Sequence, residues 1–300
     1  MTQRFYTPLP HRAVISVAGE DRVAFLQGLV SCDVTKASPD RALYGAMLTP
    51  QGKFLYDFFL IDSGDALLLE TEAARRADFA KRLGLYKLRS KVTITQPDDL
   101  AVYALWGTDA AIPDRDPAVT AFADPRLAQA GLRALVARRD EDAAGIFVKA
   151  GFAAAPFEQW DSQRIGLGLP DGSRDMTPDK AILLENGFDE LAGVDFQKGC
   201  YMGQELTART KYRGLIKKRL MPVDIDGPAP DAGTEITLND EEAGEMRSHQ
   251  GQTGLALIRL AQWRTSQESG EPLRAGHAIL RPRQPDWAIF PQTEDGPPLK

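Results

Sequence analysis

Lys198-Gly199-Cys200-Tyr201-Met202-Gly203-Gln204-Glu205 is the stretch on which the reading of this chain turns. Gly199 and Gly203 flank the thiol closely, so the backbone can turn tightly and a ligand can come near. Gln204 to Thr210 has helical propensity, which puts Cys200 just ahead of a helix N-terminus. Helix N–H groups and the neighbouring Lys198 would both favour a thiolate over a thiol. The bland alternative is a cysteine that serves as a small buried hydrophobe. Gln204 and Glu205 would either cap the helix or orient the thiol.

The same stretch opens a strongly basic segment. From Lys198 to Arg219 the chain sums to +6, with Arg209 and Arg213 among its cations and Glu205 as its only acid, while the remainder sums to −12. A concentrated positive run on an acidic protein reads either as a local anion site or as a solvated basic face.

Composition sets the outer bounds. The chain has 300 residues, 43% hydrophobic and 26% charged, with a net charge of −6, which is an ordinary globular profile long enough for about two domains. The longest apolar run, Leu100 to Trp106, is far short of the roughly 18 residues that cross a bilayer, so no membrane partner is expected. No apolar segment follows the N-terminal Met1 to His11, and two distant cysteines, Cys32 and Cys200, build no disulfide framework. These features point to a reducing, cytoplasmic setting. The negative total disfavours nucleic acid as a partner.

Further motifs fail on spacing. Gly166-Leu167-Gly168 lacks the third glycine of a dinucleotide fingerprint, and Gly45 to Gly52-Lys53 has too long a gap for a phosphate loop. The histidines, His11, His249 and His277, share no metal-ligand spacing, so no metal site is expected.

Periodicity divides the chain. Strands are expected at Ala13 to Ala18, Leu43 to Leu48, Phe54 to Ile61, Ala66 to Glu70, Val92 to Thr95, Ala101 to Trp106 and Leu132 to Ala137. Helices are expected after an Asp21 cap, from Glu72 to Leu83 with Thr71 as cap, and from Pro156 to Ile165. Thr108 to Pro125 reads as a loop. From Leu220 onward helical periodicity vanishes, leaving short β-like runs between Gly, Pro and Asp turns, the pattern of a small all-β barrel.

Lys198 to Glu205 resembles the K-G-C-Y-x-G-Q-E signature of the YgfZ-type folate-binding proteins, relatives of the glycine-cleavage T-protein, an aminomethyltransferase. Arg164 to Pro170, Leu183-Leu184-Glu185, Gly193-Val194-Asp195-Phe196 and Lys218-Arg219-Leu220 are similar to the family pattern as well. So are Thr49-Pro50-Gln51-Gly52 near the start and Gly254 to Arg259 near the end, and the branch it resembles most includes the mitochondrial iron–sulfur assembly factor.

The resemblance implies an α+β T-protein-like fold: a folate-binding body over 1–217, a C-terminal β-barrel over 218–290, and a tail over 291–300. It implies tetrahydrofolate as the cofactor, iron–sulfur carrier or client proteins as partners, and a role for Cys200 in maintaining [4Fe–4S] enzymes. The T-protein's paired aspartates align with Tyr56-Asp57, so only Asp57 remains as a catalytic carboxylate for the alternative, a folate-dependent aminomethyl or methyl transferase or demethylase. A folate site needs a carboxylate for the pterin N–H donors, and Glu185 is the candidate. It needs apolar walls, for which Tyr201, Phe196 and Trp160 are available. It needs cations for the glutamate tail, for which Lys198, Arg209 and Arg213 are available.

Overall fold

A computed structural model describes residues 3–108, 119–137, 143–214 and 216–291. The expected tail lies outside these residues but for Pro291, as does most of the Thr108 to Pro125 segment. The chain forms two compact units, interleaved in sequence. The first comprises Met1–Leu48, Leu55–Trp160 and Leu191–Met202; the second comprises Thr49–Phe54, Asp161–Glu190 and Gly203–Lys300.

The first unit contains two five-stranded sheets. One is built from β1 (Arg4–Pro8), β7 (Leu100–Gly107), β8 (Val119–Ala123), β9 (Leu132–Ala137) and β10 (Ala153–Ala154), in the order β10-β1-β7-β9-β8. The other is built from β2 (Arg12–Ala18), β3 (Leu43–Leu48), β4 (Phe54–Asp62), β5 (Ala66–Glu72) and β6 (Thr93–Thr95), in the order β3-β4-β5-β2-β6. Thr49-Pro50-Gln51-Gly52 makes the turn between β3 and β4, as its Pro-Gly chemistry predicts.

Strand β4 explains the interior. All but its last residue are buried, so both of its faces are covered. Tyr56, Phe58 and Leu60 share one face and pack with Phe25 and Leu26 of α1 (Arg22–Gln27) and Phe79 and Leu83 of α2 (Arg76–Tyr86). Asp57 and Phe59 point the other way, into a layer of buried charge. There Glu70 accepts bonds from Arg12 Nε at 2.8 Å and from Arg133 Nε and Nη2 at 2.6 Å each. Asp57 pairs with Arg12 at 3.6 Å and accepts from the Tyr44 hydroxyl at 3.2 Å. Arg126 pairs with Asp124 at 2.7 Å. The guanidiniums of Arg133, Arg126 and Arg12 lie 4.2, 4.8 and 5.9 Å from the ring centroid of Phe59.

The second unit contains a closed barrel. Its strands are β11 (Lys218–Asp226), β12 (Glu235–Leu238), β13 (Glu241–Gln250), β14 (Thr253–Arg259), β15 (Leu273–Ala275) and β16 (Ala278–Pro282), in the order β11-β14-β13-β12-β15-β16. The same unit contains a second ionic knot, in which Arg164 bridges Asp161 at 2.8 Å and Asp175 at 2.7 Å.

Several local expectations need correction. Thr71 does not cap a helix: it lies within β5, its hydroxyl donates to the Asp57 carbonyl at 2.8 Å, and α2 starts only at Arg76. Asp21 does not cap α1 with its side chain, which instead accepts the Lys91 backbone N–H at 2.7 Å. Val119–Ala123, expected in a loop, is a strand paired with β9. A helix, Leu260–Ser269, interrupts the stretch expected to be all β; its polar sequence carries little amphipathic signal, and only Leu260 and Ser266 are buried.

Burial alone would raise the Glu70 pKa, but the Arg133 and Arg12 guanidiniums hold it below the usual carboxylate value. Its stabilising contribution is therefore present above the unfolded pKa of about 4.3 and is lost as pH falls through the folded value. Glu70→Gln is expected to destabilise the protein by about 3–5 kcal/mol, because it removes the carboxylate charge that two buried guanidiniums share, and to flatten the acid limb of stability in denaturant titrations across pH.

Candidate functional site

The loop carrying Cys200 belongs to the first unit and is stitched to the connection between α1 and β3. The Ser31 hydroxyl donates to the Gly193 carbonyl at 2.6 Å, and Asp195 N–H donates to the Ser31 carbonyl at 2.9 Å. Asp195 then turns the chain by accepting from the backbone N–H groups of Gln197 and Lys198, at 2.8 and 3.2 Å. Met202 N–H closes the loop onto the Gly28 carbonyl at 3.1 Å.

Lys198 is the centre of this clamp. Its ammonium donates to the carbonyls of Gln27, Val30 and Cys32 at 2.8, 2.6 and 2.7 Å, the last residue of α1 and two residues of the connection that follows it. Burial lowers its pKa to about 8. The Tyr201 ring centroid sits 5.0 Å from the same ammonium, and Tyr201 is itself buried. All three N–H donors of Lys198 are thus engaged inside the unit, rather than offered to an anionic tail as the sequence led us to expect.

Cys200 is exposed at the apex of this loop, with open space around its neighbour Gly199. Cys32 is its opposite: buried, with its Sγ 2.6 Å from where a Cβ on Gly45 would lie, and with a thiol pKa pushed up to about 12 by burial. Asp57, proposed as catalytic, sits in the buried charge layer with Arg12 and Tyr44. A cavity of about 350 Å³ in this unit is walled by Cys32, Asp33, Lys36, Tyr44, Val194 and Asp195 among others, and by none of the nominated site residues.

The other nominated residues lie in the second unit. Glu185 falls in a 3₁₀ turn, Leu183–Asn186. Its side chain is half-buried and accepts no hydrogen bond from a described residue. Burial raises its pKa, against the pull of Lys218, Lys53, Arg219 and Arg259. Gln204 opens α3 (Gln204–Tyr212), whose N-cap is Gly203 in the left-handed region at φ 81°. Glu205 and Arg209 pair along its exposed face at 2.7 Å, and Arg213 is exposed at its end.

The basic segment therefore divides, and much of its charge is locally answered. Lys211 pairs with Asp189 at 3.2 Å, Lys218 with Glu242 at 3.4 Å, and buried Arg219 with Glu190 at 2.7 Å. The exposed Arg213 and Lys217 remain. A count along the chain could not foresee acids 22 to 29 residues away.

The Thr49 to Gly52 turn packs in the second unit beneath the start of α3. Gly52 adopts φ 80°, and a Cβ there would lie 2.6 Å from Leu206 Cβ and 2.8 Å from the Gly203 carbonyl oxygen. Only glycine meets both conditions.

These features define a T-protein-like fold with a C-terminal barrel. The aminomethyltransferase T of the glycine cleavage system from Bartonella henselae matches at a TM-score of 0.74 over 99% of this chain and 88% of that one, with 15% identity. Residues 217–290 match the family described as the C-terminal β-barrel domain of CAF17. The mitochondrial iron–sulfur cluster assembly factor IBA57 of Mus musculus is 34% identical over 84% of this chain and 76% of its own. Its Homo sapiens counterpart is 33% identical over 93% and 84%. The Mycosarcoma maydis homologue is 32% identical over 90% and 68%. The chain belongs to the IBA57 family. The expectation of a cytoplasmic protein is overturned by these relatives, each of which is named as mitochondrial. It rested on cysteine usage, and a scarcity of disulfides marks a reducing environment without naming the compartment.

Gly52→Ala is expected to lower stability by about 2 kcal/mol or more, measured by denaturant titration, since it combines left-handed strain with a backbone clash.

Proposed function

We propose that this chain is a tetrahydrofolate-binding accessory factor for the assembly or repair of [4Fe–4S] enzymes. The observation that carries the reading is Cys200, an exposed thiol on a clamped loop in a member of the IBA57 family. In this reading the Cys200 thiol loses its proton to solvent, and the sulfur donates an electron pair to iron of a cluster in transit. Clusters usually take about four protein ligands, so one thiol serves a shared and passing contact with a carrier or client protein rather than storage.

Folate binding rests on Glu185 and on the YgfZ-type signature. A half-buried carboxylate that accepts no hydrogen bond from the protein suits the paired N–H donors of a pterin, where bidentate charge-assisted bonds are strong. Arg213 and Lys217, both exposed, are the cations left for an anionic tail. A bound folate would supply one-carbon chemistry; the chain's own part is to hold the pterin through Glu185.

Cys200→Ala is expected to leave the melting temperature unchanged while cells relying on it lose aconitase-type and radical-SAM enzyme activity. Full activity in that variant would exclude the thiol role. Titration with tetrahydrofolate and folinic acid is expected to show binding that Glu185→Ala weakens about tenfold. An equal affinity in wild type and variant would remove Glu185 from the site.

Because burial raises the Glu185 pKa, the charged carboxylate is carried at a cost that grows as pH rises through the folded value. Glu185→Gln is therefore expected to melt higher than wild type at neutral pH and to lose that advantage below about pH 4, seen in thermal scans at several pH values.

A further inference from the structure

Residues 75–91 form a second segment of +6, with seven cations against Asp78 alone. Part of it is internally engaged: Arg75 lies over the Tyr56 ring at 4.4 Å, Arg76 pairs with Asp98 at 2.6 Å, and Lys91 pairs with Glu20. Lys81, Lys87 and Arg89 are exposed and make no ion pair or side-chain hydrogen bond among the described residues.

Among these cations stand two leucines in solvent, Leu85 at 67% exposure and Leu88 at 89%. Leu88 has φ 43°, in the left-handed region that a leucine rarely adopts. The turn is nonetheless built. Ser90 N–H bonds the Lys87 carbonyl at 2.8 Å, Val92 N–H bonds the Ser90 carbonyl at 2.9 Å, and Lys91 N–H bonds Asp21 Oδ2 at 2.7 Å. Glycine or asparagine would suit the backbone and a polar side chain would suit the water. Nothing in the folding of this chain accounts for a leucine there.

We propose that residues 81–91, the end of α2 and the turn after it, are the docking surface for a partner protein that presents an apolar depression ringed by carboxylates. An apolar centre with a charged rim is the anatomy of a protein interface. A second copy of the chain would bring the same +6 against this one. A bilayer is a poor match, because α2 turns Phe79, Ala80 and Leu83 into the core and has no free apolar face to lay down. Single-stranded nucleic acid asks for aromatic stacking surfaces rather than leucines among phosphates.

The position suits the work of the unit. The turn is tied to Asp21 at the start of α1, and Lys198 is tied to Gln27 at its end. Six residues of helix separate these anchors, about 9 Å along the axis. The proposed docking turn and the Cys200 loop are thus fastened to the two ends of one short helix.

The test uses the full chain without folate or cluster, so its result is independent of the roles given to Cys200 and Glu185. A labelled synthetic peptide of alternating acidic and leucine residues is titrated into wild type, Leu88→Gly, and the triple variant Lys81→Glu, Lys87→Glu, Arg89→Glu. Leu88→Gly keeps the turn conformation, so its melting temperature should hold or rise. It should weaken peptide binding about fivefold or more, and the triple variant more than about tenfold. Replacing the peptide leucines with serine should match the loss in Leu88→Gly. Equal affinity across the three proteins would overturn the proposal. So would Leu88-dependent binding to anionic phosphatidylserine vesicles or single-stranded RNA that exceeds peptide binding, or a Leu88-dependent dimer in light scattering.

Discussion

Three guanidiniums and three carboxylates, buried around one phenylalanine ring, form the constraint on which the first unit depends. Arg12, Arg126 and Arg133 converge on Phe59, with Glu70, Asp57 and Asp124 as their counter-charges. An unpaired charge in such a place would cost several kcal/mol, so each member tolerates burial only because the others are present. The layer also fixes register. Phe59 and Asp57 must face it while Phe58 and Tyr56 face the helices, and a one-residue slip of β4 would exchange the two sets. Asp57 therefore has a structural duty here, which makes it a weak candidate for moving protons on a substrate.

The same economy of polar groups shapes the signature loop. A lysine beside a cysteine invites the reading of a cation that activates a thiol. The three carbonyls at and just past the end of α1 are the stronger claim on its ammonium, because unsatisfied buried acceptors are costly and Lys198 has three donors to give. What the loop gains is position: the backbone on either side of Cys200 is tied down at Asp195, Lys198 and Met202 while the thiol stays in water.

Much of the fold was legible in the sequence because strand alternation and turn residues are local signals. β2, β3, β4, β5, β7 and β9 and the Pro-Gly turn follow from them directly. The T-P-Q-G turn became intelligible only with coordinates, since the demand for glycine comes from Leu206 and Gly203, some 150 positions away. Charge was read least well. The segment from Lys198 to Arg219 is strongly basic in sequence, yet Arg219, Lys211 and Lys218 are answered by Glu190, Asp189 and Glu242. The equally basic 75–91 runs from the expected Glu72 to Leu83 helix into the turn after it, so its charge is spread over two elements and shows only as a sum along the chain. Two interleaved subdomains are within reach of the resemblance, but their bounds are not, because a linear reading has no means of assigning Thr49–Phe54 to the company of residues beyond 203.

Burial separates the two cysteines by what each can do. Cys32 is packed and held protonated, with a thiol near 12, and Cys200 is open to solvent. In the role proposed for Cys200, a chain with one accessible thiol supplies one of the roughly four ligands a cluster usually takes. The remaining ligands would then come from another molecule, so the geometry of approach would become part of the chemistry. Rigid placement of the thiol then matters more than tuning of its acidity, because an encounter succeeds only if the sulfur is already where the incoming iron arrives. The clamp around Lys198 and the hydrogen-bonded turn at Leu88, fastened to opposite ends of α1, would hold the two proposed contact points in place.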